Sequence, residues 1–370
     1  MAVPMLMGLT GAMALVSGAQ WRALKRLPPW LILFAAFTFW AALSSLWSPT
    51  HGPTALKVMA LAAFGAAFAA AAGKDALAAR LSLSGATAAL VVLSALLSIE
   101  AIFGMPFSHA IEPRAEPLTL IGRPARGLVV LLALVWPAAA WFLSERRLGH
   151  AIAAAACIIA VGLLSTQFGQ TSTLAGFSAG LTAFALALAI PRLTILAVTW
   201  GVAAWLLAAP FLTPLLAAHA QMLDAVPFSW EARVGIWRYV CARIVEQPWI
   251  GHGLDAGRSV ADTIVVRGIE MQGTPLHPHS ASLQIWFDTG AVGAGLAAAL
   301  IALSGWRLAH AFERQKYDAA AIAATFAMFG LMANVGWSIW QEWWASTLIV
   351  AAALLSALAA ARGRMPGADN

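Results

Sequence analysis

The sequence predicts an all-α polytopic membrane protein, on three observations. Of its 370 residues, 61% are hydrophobic and only 10% are charged, against roughly 25% charged in a soluble domain. Mean hydropathy is +0.80. The apolar residues gather into runs about 17–24 long, the length a helix needs to cross a bilayer. These runs do not alternate with polar residues as barrel strands do, so each segment must satisfy its own backbone as a helix.

Eleven spans are expected, at roughly 3–19, 30–47, 55–73, 81–99, 127–143, 150–166, 173–190, 193–209, 281–304, 319–337 and 343–361. The N-terminus lacks a basic n-region, so the first run is read as a span rather than a cleavable signal. Cys157 and Cys241 give no disulfide framework and read as packing residues. The organisation divides into a bundle of about eight helices over 1–209, a large polar segment over 210–280 that carries the site, and C-terminal transmembrane helices with a short cytoplasmic tail over 281–370. A shorter polar segment, about 100–126, interrupts the first bundle.

Charge sorts the connections into two sides. One side holds Arg22, Lys25, Arg26, Lys74, Arg80, Arg146, Arg147, Arg192, Arg307, Arg314, Lys316, Arg362 and Arg364, thirteen basic residues against five acidic. The other holds nine basic and eleven acidic. The positive-inside rule makes the first side cytoplasmic and the second external. Both polar segments are then external. Eight of the nine external basic residues are arginine, Lys57 being the exception. Arginine presents a planar fork that matches phosphate oxygens and tolerates partial desolvation. The pattern points to an anionic substrate such as a lipid pyrophosphate. Trp47, Trp337, Trp340, Trp343 and Trp344 read as an interfacial aromatic belt.

Within the large segment, 229–246 reads as an amphipathic helix with Ser229 as N-cap and Gln247-Pro248 as its stop. Val234, Trp237, Val240, Cys241, Ile244 and Val245 fall on one arc. Arg233 falls in that same arc, whereas Arg243 lies opposite and Arg238 at the edge. An arginine in an apolar stripe must be paired, with Glu231 or Asp255 as candidates, or must face a polar cavity. Gly251-His252-Gly253, with Gly257-Arg258 beyond, lets the backbone turn tightly and approach a ligand closely. His252 reads as a turn residue, and Arg258 as either a loop ion pair or a phosphate contact.

His277-Pro278-His279-Ser280 meets the start of the ninth span, whose first turns carry Gln284, Trp286 and Asp288. A histidine at a helix N-terminus is kept neutral and able to act as a base. The same helix end offers unpaired N–H groups to an anion. A His-x-His pair can bind zinc, but no third ligand has the spacing. Span interiors hold almost no ionisable residues, with Asn334 the most polar residue mid-span. That favours interfacial chemistry over a transporter, which places such residues within its spans.

The ordered set Arg233-Val234-Gly235-Ile236-Trp237, Pro248-Trp249-Ile250-Gly251-His252-Gly253, His277-Pro278-His279-Ser280 through Gln284-Ile285-Trp286 and Gly290-Ala291-Val292-Gly293 resembles the O-antigen ligase and polymerase family. Gly122-Arg123-Pro124-Ala125-Arg126-Gly127 is similar to that family's arginine-containing entry into a mid-chain span. The resemblance implies eleven or twelve spans with one large periplasmic loop, in the inner membrane of a Gram-negative bacterium. It implies metal-independent, inverting glycan transfer from undecaprenyl pyrophosphate to the lipid A core. For a polymerase the acceptor is instead another lipid-linked repeat. Neither a cofactor nor nucleic acid is implied. His279 takes the family's base position, and Arg233 and Arg126 the pyrophosphate positions, with Arg258 and Arg123 in reserve. His277, Gln284 and His252 stand as candidates for the acceptor side. Gln170 falls where the family commonly has Ser-Arg, and a neutral amide cannot supply that charge. Ser280 replaces the family's Asn and caps a helix equally well.

Overall fold

The computed structural model describes residues 28–220 and 227–361, in twelve α-helices and one β-hairpin. The helices are α1 (Pro29–Leu43), α2 (Thr54–Ala72), α3 (Ala76–Ile102), α4 (Pro106–Ile111), α5 (Pro117–Ser144) and α6 (Leu148–Ser165). They continue as α7 (Thr171–Ala189), α8 (Pro191–Ala220), α9 (Phe228–Glu246), α10 (Ala281–Ala311), α11 (Lys316–Ala333) and α12 (Glu342–Ala360). Strands β1 (Thr263–Val266) and β2 (Ile269–Gln272) pair antiparallel. Among the described residues nine helices are long and apolar enough to cross a membrane. The expected span at 3–19 and the flanking Arg22, Lys25, Arg26, Arg362 and Arg364 lie outside the described residues.

The remaining ten expected spans all appear as helices, with shifted ends. α5 begins at Pro117, so Arg123 and Arg126 sit on a helix rather than in a loop. Residues 210–220 continue α8, because Pro210 and Pro214 are accommodated inside it. α11 stops at Ala333 with Asn334 as its C-cap, so Asn334 is a helix-end residue and not a mid-span one. α11 also falls outside the nine, since Lys316 and Asp318 occupy its first turn.

Small residues set how closely these helices approach. A Cβ on Gly180 would strike Trp136, one on Gly305 would strike Thr199, and one on Gly330 would strike Val202. In hydrocarbon, where burying apolar surface between helices gains little, such close backbone contact supplies the packing. Trp136, fully buried, stacks on Phe177 with ring centroids 5.8 Å apart. Large apolar side chains such as Phe39, Leu81, Val91, Val92, Ile159 and Leu163 face outward. That surface suits lipid and not water.

A second apolar cluster places α9 against the first half of α10. It joins Ile236, Val240, Cys241 and Ile244 to Leu283, Trp286 and Phe287, with Leu206 from α8. α9 starts at Phe228 after Pro227, one residue before the expected start, so Ser229 is not its N-cap. Its buried stripe is Ala232, Ile236, Val240, Cys241 and Ile244. Val245, expected in the stripe, is 77% exposed. Four-residue steps from Ala232 carry the stripe to Ile244 and leave Val245 beyond its edge.

Candidate functional site

The site is built on the first turn of α10. Ser280 is its N-cap, accepting from Leu283 N–H, and its hydroxyl donates to Asn334 Oδ1 at 3.2 Å. The same Asn334 oxygen accepts from Ser282 N–H at 3.2 Å, and its amide donates to Gly330 O. Asn334 therefore clamps two polar groups of the helix start to the end of α11. Gln284 spends both ends of its amide on the turn 334–341: it donates to Ser338 Oγ and accepts from Ile339 N–H. Trp340 Nε1–H donates to the buried Asp288 at 2.6 Å. This turn, read from sequence as part of an aromatic belt, is the wall that orients the helix tip.

His279 lies just before the N-cap in the left-handed region, with φ 54°. Leu276, at φ 71°, shares that geometry. Each such residue costs about 1–2 kcal/mol of backbone strain, and surrounding contacts hold the shape. His279 N–H donates to His277 Nδ1 at 3.2 Å. Trp237 on α9 donates its indole N–H to Pro278 O at 2.9 Å. His279 Nδ1 lies 2.9 Å from Gly336 O. A carbonyl only accepts, so Nδ1 carries the proton and the neutral ring has its free lone pair on Nε2. Burial holds His279 below its ordinary pKa, and nearby Arg233 pushes the same way, against the Gly336 bond. For His277, burial first, then the charges of His279, Arg258 and Arg233, bring the pKa to about 3. Both rings are neutral near pH 7.

Arg233 is half-buried and burial lowers its pKa. Its Nη1–H donates to Ser229 O at 3.0 Å, its charged carbon stands 5.2 Å from the centre of the Trp230 ring, and its buried Nε has no partner. Neither expected carboxylate serves it. Glu231 pairs with Arg267 at 2.5 Å, and Asp255 with Arg258 at 2.6 Å. The expected ion pair of Arg233 with Glu231 or Asp255 is thus absent among the described residues. Among the described residues its guanidinium has no carboxylate partner, and its charge is felt by both His277 and His279.

Arg126 is exposed on α5 and lies 5.8 Å from the ring centres of both Trp337 and Trp343. Trp337 follows Gly336, the residue that holds His279, so Arg126 reaches the same wall. Arg123 is tied to Glu112, and Arg258 to Asp255. Gln170 precedes α7, whose Gly176 packs on Met332, so it lies at the same end of the bundle as Asn334. The structure thus brings together His277, His279 and Arg233, with Arg126 at the wall and Arg258 within electrostatic reach of His277. His252 serves the fold: its Nε2 bonds Arg243 O at 2.8 Å and its ring stacks on Phe287 at 4.6 Å.

The Gly-His-Gly turn closes on a helix: a Cβ on Gly251 would meet the backbone of Asp288, Thr289 and Gly290. α10 is interrupted at Gly290, with φ 64° and ψ −166°. The turn enters this break. His252 and Gly253 N–H donate to Phe287 and Asp288 carbonyls at 2.7 and 2.9 Å, while Ala291 and Val292 N–H donate to Pro248 and Trp249 carbonyls. Trp40 takes Thr289 O, and Trp47 takes Gly251 O. A broken helix strands backbone groups, which is tolerated at membrane depth only when they find partners. Here the turn supplies them.

Asn334, Gly336, Ser338 and Trp237 position the histidines, and sequence reasoning assigned none of them that task. Among the described residues, no group of three or more His, Cys, Asp or Glu is arranged to hold a metal ion.

The fold is that of a multi-pass membrane protein, and the candidate residues His277, His279 and Arg233 lie around the start of α10. A family model described as O-antigen ligase matches residues 127–298. A protein of Rickettsia felis named "Putative polysaccharide ligase" is 27% identical over 243 residues, 63% of this chain and 58% of that protein. The similarly named protein of Rickettsia prowazekii is 26% identical over 231 residues, 59% of this chain and 54% of its own length. That of Rickettsia conorii is 27% identical over 163 residues, 41% and 39% respectively. The chain matches about half the length of these curated relatives. No solved structure matches. The chain is thus similar to the O-antigen ligase family over residues 127–298, the stretch that holds most of the motifs quoted from the sequence.

Proposed function

We propose that this protein transfers a glycan from a lipid-linked pyrophosphate to an acceptor hydroxyl, and does so at the external face of the membrane. The observation that carries the reading is Arg233, a partly buried guanidinium with no carboxylate partner among the described residues, within electrostatic reach of a His279 whose Nδ1 is spent on Gly336 O. The positive-inside count puts this end of the bundle outside the cytoplasm. Undecaprenyl pyrophosphate is the donor lipid and the lipid A core the acceptor, in a Gram-negative inner membrane.

In this mechanism the acceptor hydroxyl gives its proton to His279 Nε2 as its oxygen attacks the anomeric carbon. The bond from that carbon to the phosphate oxygen breaks, and the pyrophosphate leaves with the electron pair. Attack opposite the leaving group inverts the anomeric centre. Arg233 and Arg126 face the negative charge that grows on the phosphate, in a site where desolvation strengthens the attraction. The Gly336 carbonyl fixes the base tautomer and stabilises the imidazolium formed. Cleavage of the glycosyl–phosphate bond supplies the driving force, so the step consumes no nucleotide, and arginine rather than a metal meets the charge on the leaving pyrophosphate.

Reconstitution in proteoliposomes tests this reading, with undecaprenyl pyrophosphate-linked glycan, no added metal and either lipid A core or a second lipid-linked repeat as acceptor. Glycosylated core lipid is the expected product. Elongated lipid-linked polymer would make the protein a polymerase, and absence of both products would overturn the reading.

A further inference from the structure

The two histidines of the His-Pro-His turn are held through the same ring atom, Nδ1, in opposite roles. His279 uses Nδ1 as a donor, to Gly336 O at 2.9 Å. His277 uses Nδ1 as an acceptor, from the His279 backbone N–H at 3.2 Å. A neutral imidazole has one N–H and one lone pair, so fixing the role of one nitrogen fixes the other. His279 therefore leaves a lone pair on Nε2, and His277 leaves an N–H on Nε2. The ring centres are 4.4 Å apart and inclined by 60°. Among the described residues His277 Nε2 has no hydrogen-bond partner, although the residue is only 6% exposed.

We propose that His277 and His279 form a matched pair of opposite tautomers, one Nε2–H donor beside one Nε2 acceptor, that grips two neighbouring oxygens of the acceptor sugar. One hydroxyl gives its hydrogen to His279, and the oxygen on the next carbon accepts from His277. Adjacent hydroxyls on a pyranose ring present this donor–acceptor complement, and a lone alcohol does not. The pair thus selects a vicinal diol, and the attacking oxygen is the one held by His279. Burial keeps both rings neutral, which preserves the pattern. The selection of a diol rests on the glycan-transfer reading above; the tautomer pair does not.

Two measurements separate these parts. Spectra of ¹⁵N-histidine-labelled protein in nanodiscs at pH 7, with His277→Asn and His279→Gln for assignment, report which nitrogen of each ring carries the proton. The expected result is Nε2–H for His277 and Nδ1–H for His279. The same tautomer in both rings, or a charged ring in either, would overturn the proposal whatever the activity. The second measurement compares transfer to lipid A core with transfer to a core lacking the hydroxyl next to the glycosylated one. Wild type should lose about tenfold in kcat/KM on the deoxy acceptor, the scale of one hydrogen bond left unmade. His277→Asn keeps a side-chain oxygen to accept the His279 N–H but has no N–H at the Nε2 position. It should transfer to both acceptors equally, with the pH profile of His279 unmoved. Unchanged discrimination in His277→Asn, or none in wild type, rejects the grip on the diol. If wild type transfers to neither acceptor, the glycan-transfer reading and the diol grip with it fall, and the ¹⁵N spectra alone decide the tautomer pair.

Discussion

α10 is interrupted by polar chain twice, at its tip by residues 277–280 and at Gly290 by residues 248–253, and the two places differ in what they leave unspent. At Gly290 every backbone group named there finds a partner: Phe287 and Asp288 carbonyls take His252 and Gly253, and Ala291 and Val292 give to Pro248 and Trp249. At the tip Arg233 Nε is buried without a partner, and among the described residues the two histidines are bonded through Nδ1 and not Nε2. Strain is kept at both. Glycine supplies the positive φ at 251, 253 and 290, whereas His279 itself adopts it at the tip. The lesson is that the backbone of a broken membrane helix can be satisfied in full while side-chain capacity is left over, as at Asp288 Oδ1 beside the break and Arg233 Nε near the tip.

The contrast can be broken most sharply at the tip. His279→Ala should lower transfer by about 10²–10⁴-fold, the range for loss of a general base, while the purified protein melts at nearly the wild-type temperature. Transfer at the normal rate would remove the base assignment. Arg233→Ala should lower kcat by about 10²-fold, as for loss of one stabiliser of developing charge. Lysine should restore little, because a point charge lacks the guanidinium fork. Rescue by lysine to near wild-type rates would show that charge alone suffices.

At Gly290 the expected losses are in stability. Gly253→Ala forces a side chain into φ 99° and onto the Ser48 backbone. It should cost about 2 kcal/mol or more, read as a lower melting temperature or loss of monodisperse protein in detergent. A stable, active Gly253→Ala protein would contradict the fit of the turn into the break.

Acid tests the buried histidines. In the unfolded chain His277 titrates at its ordinary 6.5, and in the fold at about 3. Between those values the unfolded state binds more protons, so stability is complete above about pH 6.5 and falls as pH drops towards 3. Its slope approaches about 1.4 kcal/mol per pH unit for one such group. His277→Asn should flatten this part of the curve in urea or thermal melts, and an unaltered curve would place the ring in water. The smallest effect belongs to Arg243→Ala. Its partner Glu246 is three residues along the same helix at 2.9 Å and both are well exposed, so stability should change by less than about 0.5 kcal/mol and transfer should not change.

Much of this was legible in the chain. Ten expected spans became helices because a run of apolar residues at bilayer length has one satisfied conformation. Ser280 as N-cap, Gln247 as the end of α9 and the placing of His279 before α10 followed from local hydrogen-bonding chemistry. Arg233 stood out because a charge in an apolar stripe requires an explanation. Local patterning failed where the answer depended on a distant partner. Asn334 looked like a mid-span polar residue, because hydropathy cannot see that α11 stops one residue earlier to let its amide reach Ser280 and Ser282. Glycines 251 and 253 looked ready for a ligand, because the sequence does not say that the surface they approach is a broken helix.

The sequence by itself determined the membrane-spanning helices, the side on which arginine collects and the identity of the titratable groups, since each depends on composition within one segment. The tertiary structure decided that Glu231 and Asp255 pair with other arginines than Arg233, which role each histidine's Nδ1 takes and which glycine turn is spent on packing. Those depend on groups tens to hundreds of residues apart competing for the same donors and acceptors, and that competition is resolved only when the helices pack.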